Sequence, residues 1–189
     1  MFLQKIDDML SIRSIELQDA EELFDLTDRS RSYLRKWLPW LDTNTELEHT
    51  KDFILFSMKG YMKKKMMNHV VIYDGNIVGV AGYNEIDWSN RIAYIGYWLG
   101  EDYQGKGIIT KVTRTLIIHA FFGLHLNRVD IRAAVENKKS RSIPERLGFV
   151  QEGRIRQAEW LYDHFVDHTV YSMLAEEWFE KDNEKYLGK

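Results

Sequence analysis

Apolar positions along the chain change period several times, and each change marks an element. Residues 10–16 (Leu-Ser-Ile-Arg-Ser-Ile-Glu) alternate apolar and polar, the period of a half-buried strand. Asp19 with Glu22 reads as a capping pair opening a helix that carries Leu23 and Leu26. Thr45 with Glu48 reads as a capping box. The helix it opens is predicted to run to about Lys63, with Phe53, Leu55, Phe56 and Met58 to bury. Residues 68–74 and 77–86 are β-rich runs around Asp74-Gly75-Asn76, a turn in which glycine takes positive φ cheaply. Asp87-Trp88-Ser89-Asn90 signals a second turn before a strand at 91–99, so three strands form an antiparallel meander. Gly100 to Gly107 is a loop, and 108–122 a helix with Ile108, Val112, Leu116 and Ala120 on one stripe. A strand at 128–134 and a short helix before Gly148-Phe149 follow. Alternation returns over 149–160 and 165–174, and a helix at 175–182 closes the chain. The helix between strands 91–99 and 128–134 makes those two parallel through a right-handed crossover. This order predicts an α+β fold with a mixed sheet.

Composition narrows the class. The chain has 189 residues, 44% hydrophobic and 13% aromatic, enough to build one core and to exclude disorder. With two prolines and no internal repeat, residues 1–189 are expected to form a single domain. Lys+Arg at 26 against Asp+Glu at 29 gives a net charge of −3 and no global basic field, so no nucleic-acid partner is expected. Absence of cysteine excludes disulfides, thiolate zinc sites and a cysteine nucleophile. Met1 to Asp8 lacks the basic-then-apolar order of a signal peptide. The most apolar stretch, Leu116 to Leu124, falls short of the ~20 residues that span a bilayer and contains His119. A cytoplasmic protein without a membrane partner is expected.

Two patches carry candidate chemistry. In Gln104-Gly105-Lys106-Gly107-Ile108-Ile109-Thr110 the glycines let the backbone turn tightly, and the following helix adds unpaired N–H groups and a positive dipole end. That is a socket for a phosphate or pyrophosphate; a plain tight loop explains the glycines as well. The spacing is not a Walker loop, and a dinucleotide fingerprint is absent. Asn137-Lys138-Lys139-Ser140, ending in Arg146-Leu147-Gly148-Phe149, reads by composition as a helix cap and a helix stop. His164 and His168 share a strand face without a third ligand, so no metal site is expected. Lys63-Lys64-Lys65 is a solvated helix end.

Taken together, the two patches resemble the GNAT superfamily of N-acetyltransferases over about residues 10–175. Its main motif, Q/R-x-x-G-x-G/A, is matched by Gln104 to Ile109, with Ile109 in place of the last small residue. Its second motif, N-x-x-S/A ending in L-G-F, is matched by Asn137, Ser140 and Leu147-Gly148-Phe149. Leu34-Arg35-Lys36-Trp37-Leu38-Pro39-Trp40, Ile95-Gly96-Tyr97-Trp98 and Leu126-Asn127-Arg128 are similar to the RimL-like branch, the ribosomal-protein N-terminal acetyltransferases. The resemblance implies a mixed, mostly antiparallel sheet of about seven strands flanked by helices and splayed between strands four and five.

It further implies acetyl-CoA as acetyl donor. Tyr97, Trp98 and Leu99 would supply the strand edge for pantetheine, and Asn137 would bond its arm. The N–H groups of Gln104, Gly105, Lys106, Gly107, Ile108, Ile109 and Thr110 would hold the pyrophosphate. Where relatives carry a tyrosine acid this chain has Pro144, which leaves Ser140 to protonate the departing thiolate. The alternative is that Ser140, or Ser142 with Glu145 as a capping box, only starts the helix. Tyr94 stands where a strand-four glutamate is common, so Glu85, or Asp87, is the candidate base, acting directly or through water. An α-amine with a pKa of ~7.7–8.0 has a neutral fraction even without a strong base. Trp37 and Trp40 are candidate substrate-site residues, with a core role as the alternative.

The implied acceptor is the N-terminal α-amine of a ribosomal protein. The alternatives are a small amine (polyamine, amino acid or aminoglycoside), or a non-catalytic acyl-CoA-binding protein on the same scaffold. A peptide calls for an open groove between Trp37–Trp40 and 149–174; a small amine calls for a closed gap lined with carboxylates. A homodimer or higher homo-oligomer is expected.

Overall fold

Past the short β1 (Leu3–Lys5), strands form where β-branched and aromatic residues occur: β2 (Leu10–Ser14), β3 (Met67–Tyr73), β4 (Asn76–Asp87), β5 (Ile92–Leu99), β6 (Arg128–Ala134), β7 (Val150–Leu161) and β8 (His164–Leu174). The computed structural model describes residues 3–180, and there the strands make an eight-stranded sheet in the order β1-β2-β3-β4-β5-β6-β8-β7. Only the β5–β6 pair is parallel. The strand beyond the expected seven is β1, three residues paired antiparallel to β2 and too short to show a hydrophobic period.

Helices cover both faces. On one lie α1 (Ala20–Arg29) and α3 (Leu47–Met62), joined through the single turn α2 (Arg31–Leu34); Leu23, Leu26 and Ile54 bury Val70 and Val80. On the other lie α4 (Ile108–Ile118), a π-helical turn at His119–Gly123, α5 (Lys138–Arg146) and α6 (175–180). Their larger core joins Ile95, Val112, Leu116, Val129, Phe149, Met173 and Trp178. With layers on both sides, β3 and β4 are buried over most of their length, which is why their apolar runs scarcely alternate. The last residues of the helix expected at 175–182 lie outside the described range. No described helix is long and apolar enough to cross a membrane.

Three local expectations are corrected. Asp19 does not pair with Glu22: the Arg13 guanidinium grips both its carboxylate oxygens at 2.6 and 2.7 Å, and the Glu16 N–H donates to it at 2.8 Å. Glu22 instead accepts the Ile77 N–H of β4 at 2.6 Å. The Thr45–Glu48 box does not form. Glu46 is the N-cap of α3, and the Thr45 N–H donates to His49 Nδ1. Finally, α3 buries Thr50, Ile54 and Ser57, while Phe53, Leu55, Phe56 and Met58 face outward, Phe56 at 63% exposure. Its inner face is mixed: Ile54 packs in the apolar cluster, and the two hydroxyls meet polar groups. Thr50 Oγ1 donates to Asn44 Oδ1 at 3.1 Å, and Asn68 Nδ2 donates to Ser57 Oγ at 3.0 Å.

The feature that positions the site is a divergence of two strands. β5 and β6 pair from Ile92↔Arg128 to Ile95↔Ile131 and no further. Beyond that point β5 stays with β4 as far as Leu99, and β6 stays with β8 as far as Ala134. The facing edges of 96–99 and 132–134 therefore border a gap, the expected splay.

Candidate active site

At the mouth of this gap the chain turns into α4. Gly105 (φ +76°) and Gly107 (φ +71°, the N-cap) hold left-handed conformations that side chains resist, and both face open space. The first-turn N–H groups of α4 have no intrahelical acceptor and point outward with the dipole. Ile108 and Ile109 bury their side chains, so they anchor the helix start and offer only backbone to a ligand. Gln104 departs from expectation: its N–H donates to Glu101 O at 3.2 Å and its amide to Leu99 O at 3.0 Å. It ties the loop to the end of β5 rather than presenting an N–H to an anion. The Lys106 ammonium lies 5.2 Å from the Tyr103 ring and 5.6 Å from the Tyr73 ring. A second cation, unassigned by sequence, arrives from α5: Arg146 Nη2 donates to Thr110 Oγ1 at 3.1 Å.

On the far side of the gap stands the start of α5. Asn137 caps it, Oδ1 accepting the Ser140 N–H at 3.1 Å. The cap is thus Asn137, and neither Ser140 nor a Ser142–Glu145 box starts the helix. Ser142 Oγ donates to Lys139 O, and Glu145 accepts from the Tyr171 hydroxyl. Four residues beyond Ser140 comes Pro144, which has no N–H to give the Ser140 carbonyl. Tyr97 fills the vacancy: its hydroxyl donates to Ser140 O at 3.0 Å and lies 3.5 Å from Ser140 Oγ. Burial pushes the Tyr97 hydroxyl well above the ordinary tyrosine pKa, so it stays protonated. Leu99, expected at the pantetheine edge, puts its side chain in the core.

Behind these groups is a cavity of about 950 Å³. Trp37 and Trp40 form part of one wall, and Trp40 lies 6.0 Å from Trp98 between ring centroids. Glu85 lines the cavity opposite Tyr94, where β5 and β6 are still paired, on the closed side of the splay from Ser140. The last wall is the β7–β8 hairpin, which contributes Glu159 and His168, with His168 Nε2 at 3.3 Å from Glu159 Oε2. Sequence reasoning weighed His168 only as a metal ligand and passed over Glu159. Regular pairing continued from Ile155↔His168 would set Glu159 across from His164, so period and pairing alone do not bring the two together. His164 pairs instead with Asp163 at the hairpin tip, and no metal-binding cluster occurs among the described residues. The two walls are bridged: the Tyr162 hydroxyl donates to Leu38 O at 2.5 Å, and the Arg35 guanidinium sits 3.9 Å above the Tyr162 ring. The gap between Trp37–Trp40 and the hairpin is therefore spanned rather than open.

Known proteins resemble this chain in sequence and fold. Residues 9–150 match the family model described as "Acetyltransferase (GNAT) domain". YdaF of Bacillus subtilis (strain 168), named "Putative ribosomal N-acetyltransferase", is 37% identical over 94% of this chain and 98% of its own. The structure of RimL, the ribosomal L7/L12 alpha-N-protein acetyltransferase in complex with coenzyme A, superposes with a TM-score of 0.90 at 25% identity, covering 93% of this chain and 99% of that one. The microcin C7 self-immunity acetyltransferase MccE, in complex with acetyl-CoA and AMP, gives 0.86 at 33% identity, covering 90% and 94%.

Proposed function

The chain belongs to the GNAT acetyltransferase family, and from that premise we propose that it transfers the acetyl group of acetyl-CoA to the N-terminal α-amine of a ribosomal protein. One observation carries the reading. The N–H socket of α4 and the Ser140 hydroxyl flank the same gap between β5 and β6, and the cavity that holds the acceptor opens onto Ser140. The donor fits this place. The free edge of β5 suits an amide-bearing pantetheine arm, and the α4 N–H groups, with Lys106 and Arg146 nearby, suit a pyrophosphate. Bound there, acetyl-CoA supplies a thioester already activated for transfer.

This chain's residues then do three things. The Trp37–Trp40 wall and the hairpin hold the acceptor amine and exclude water. Glu159, hydrogen-bonded by His168, takes the amine proton, and Glu85 is the second carboxylate available to orient the acceptor. Ser140 Oγ holds a proton for the departing thiolate, with the Tyr97 hydroxyl beside it. We read residues 1–189 as one catalytic domain acting in the cytoplasm, without nucleic acid, as a homodimer.

A second reading has its own support. The cavity, bridged at Tyr162 and lined by the carboxylates of Glu85 and Glu159, also suits a small cationic amine. The test is a comparison of kcat/KM for a short Ser- or Ala-initiated peptide, spermidine and an aminoglycoside. The peptide is expected to lead. A small amine in front replaces the acceptor assignment, and no turnover with any of the three overturns the enzymatic reading.

A further inference from the structure

The β7–β8 hairpin is not regular. Ile155 pairs with His168 and Glu159 with Val166, so Arg156, Gln157 and Ala158 face the single residue Asp167. Two extra residues are thereby inserted into β7, a bulge with Gln157 in a left-handed conformation at φ +50°. A non-glycine residue holds such a conformation only where its surroundings impose it. Here Asp167 does so from the opposite strand. Its Oδ1 accepts the Gln157 N–H at 2.7 Å and its Oδ2 accepts Arg154 Nε at 2.6 Å, pinning the bulge on both sides. These donors also hold the Asp167 carboxyl below its ordinary pKa.

The bulge decides where Glu159 stands. In a regular hairpin Gln157 would face Val166, and Glu159 would lie two residues, or about 7 Å, further toward the tip. With the insertion, Glu159 is drawn back beside His168 and into the cavity wall. We propose that Asp167 is a positioning residue for acetyl transfer, holding the β7 bulge that aims Glu159 at the acceptor amine. The proposal rests on the reading of Glu159 as proton acceptor.

Five variants test it: Asp167→Ala, Asp167→Asn, Glu159→Gln, the double variant Asp167→Ala/Glu159→Gln, and Gln157→Pro. Asp167→Ala is expected to lower kcat at least ~10-fold with KM for acetyl-CoA unchanged, the pattern of a group felt in the chemical step. Asp167→Asn, whose amide oxygen still accepts the Gln157 N–H, should keep near-normal turnover. The double variant should be no slower than Glu159→Gln alone, because Asp167 acts through Glu159. Gln157→Pro, which removes the donated N–H and forbids positive φ, should reproduce the loss without touching Asp167; it carries the test if Asp167→Ala does not fold. Normal turnover in folded Asp167→Ala, or losses that add in the double variant, overturns the positioning role. A fully active Glu159→Gln overturns the proton-acceptor reading itself, a distinct failure.

Discussion

Pro144 shows how one residue redirects another. By withholding an N–H from the Ser140 carbonyl it leaves an acceptor that Tyr97 occupies, and this brings a second hydroxyl to the proposed acid. Tyr97→Phe should leave that part-buried carbonyl unpaired and cost about 1–3 kcal/mol, read as a lower Tm. Because Asn137 is the cap of α5, Ser140→Ala removes a hydroxyl and no cap. It should lower kcat by ~10²-fold or more with little change in acetyl-CoA affinity. A lower Tm with normal turnover would make Ser140 structural instead. Between neutral pH and the carboxylate range a different residue contributes to the acid response of the fold. Burial, with a smaller contribution from the nearby His119 charge, pushes His69 down to about 4 from the usual 6.5. The unfolded chain binds that proton between these values and the folded chain does not, so stability falls as pH drops through the window, and the His69 contribution is complete below about 4. The full shift corresponds to about 3 kcal/mol. Half-buried His119 is lowered too and adds in the same direction. Urea unfolding at pH 7 and pH 5 checks this above the range where the carboxylates titrate; an unchanged midpoint would contradict it.

At the scale of elements, the turn into α4 is the part most dependent on glycine. A side chain at 107 meets nothing within 4 Å, so its effects come from the φ of +71° and from whatever it places before the helix start. Gly107→Ala is expected to cost about 1 kcal/mol of stability and to spare most of the acetyl-CoA affinity. Gly107→Asp adds a negative charge where a pyrophosphate is proposed, and should weaken acetyl-CoA binding at least ~10-fold by calorimetry. Equal affinity in the two variants would remove the socket from this loop. The helix α3 teaches the opposite lesson about pattern. Its apolar residues suggest an inward face, yet Thr50 and Ser57 turn inward because Asn44 and Asn68 supply partners there. Apolar composition alone therefore does not choose the buried face: Ile54 goes inward together with the two hydroxyls.

At the scale of the molecule, that reversal leaves Phe56 at 63% and Met62 at 75% exposure on one helix that also exposes Leu55 and Met58. Apolar residues gathered on one exposed helix support assembly. Light scattering is expected to give twice the monomer mass at micromolar concentration; a monomer throughout would refute the dimer. The same scale governs the acceptor. Its walls come from segments more than a hundred residues apart, joined by the Tyr162–Leu38 hydrogen bond and by Arg35 stacked on Tyr162.

The residues themselves determined the strands other than β1, the β3–β4–β5 meander, the parallel β5–β6 pair and the glycine turn into α4, because each follows from period, turn chemistry, glycine spacing or the hand of a single crossover. That β8 lies between β6 and β7 was decided by the tertiary fold. The same local signals failed at Asp19, at Thr45 and along α3, where the partner is a side chain that capping and period rules do not weigh: Arg13 six residues before Asp19, the His49 ring, Asn44 just before the helix and Asn68 on β3. Tertiary structure alone decided that Tyr97 reaches Ser140, that Arg146 reaches Thr110, and that Glu159 stands beside His168. The last depends on a two-residue shift of register held by Asp167. Alternation continues unbroken through such a shift because its length is even, so a sequence read by period passes over it, and only the pairing of two strands reveals it.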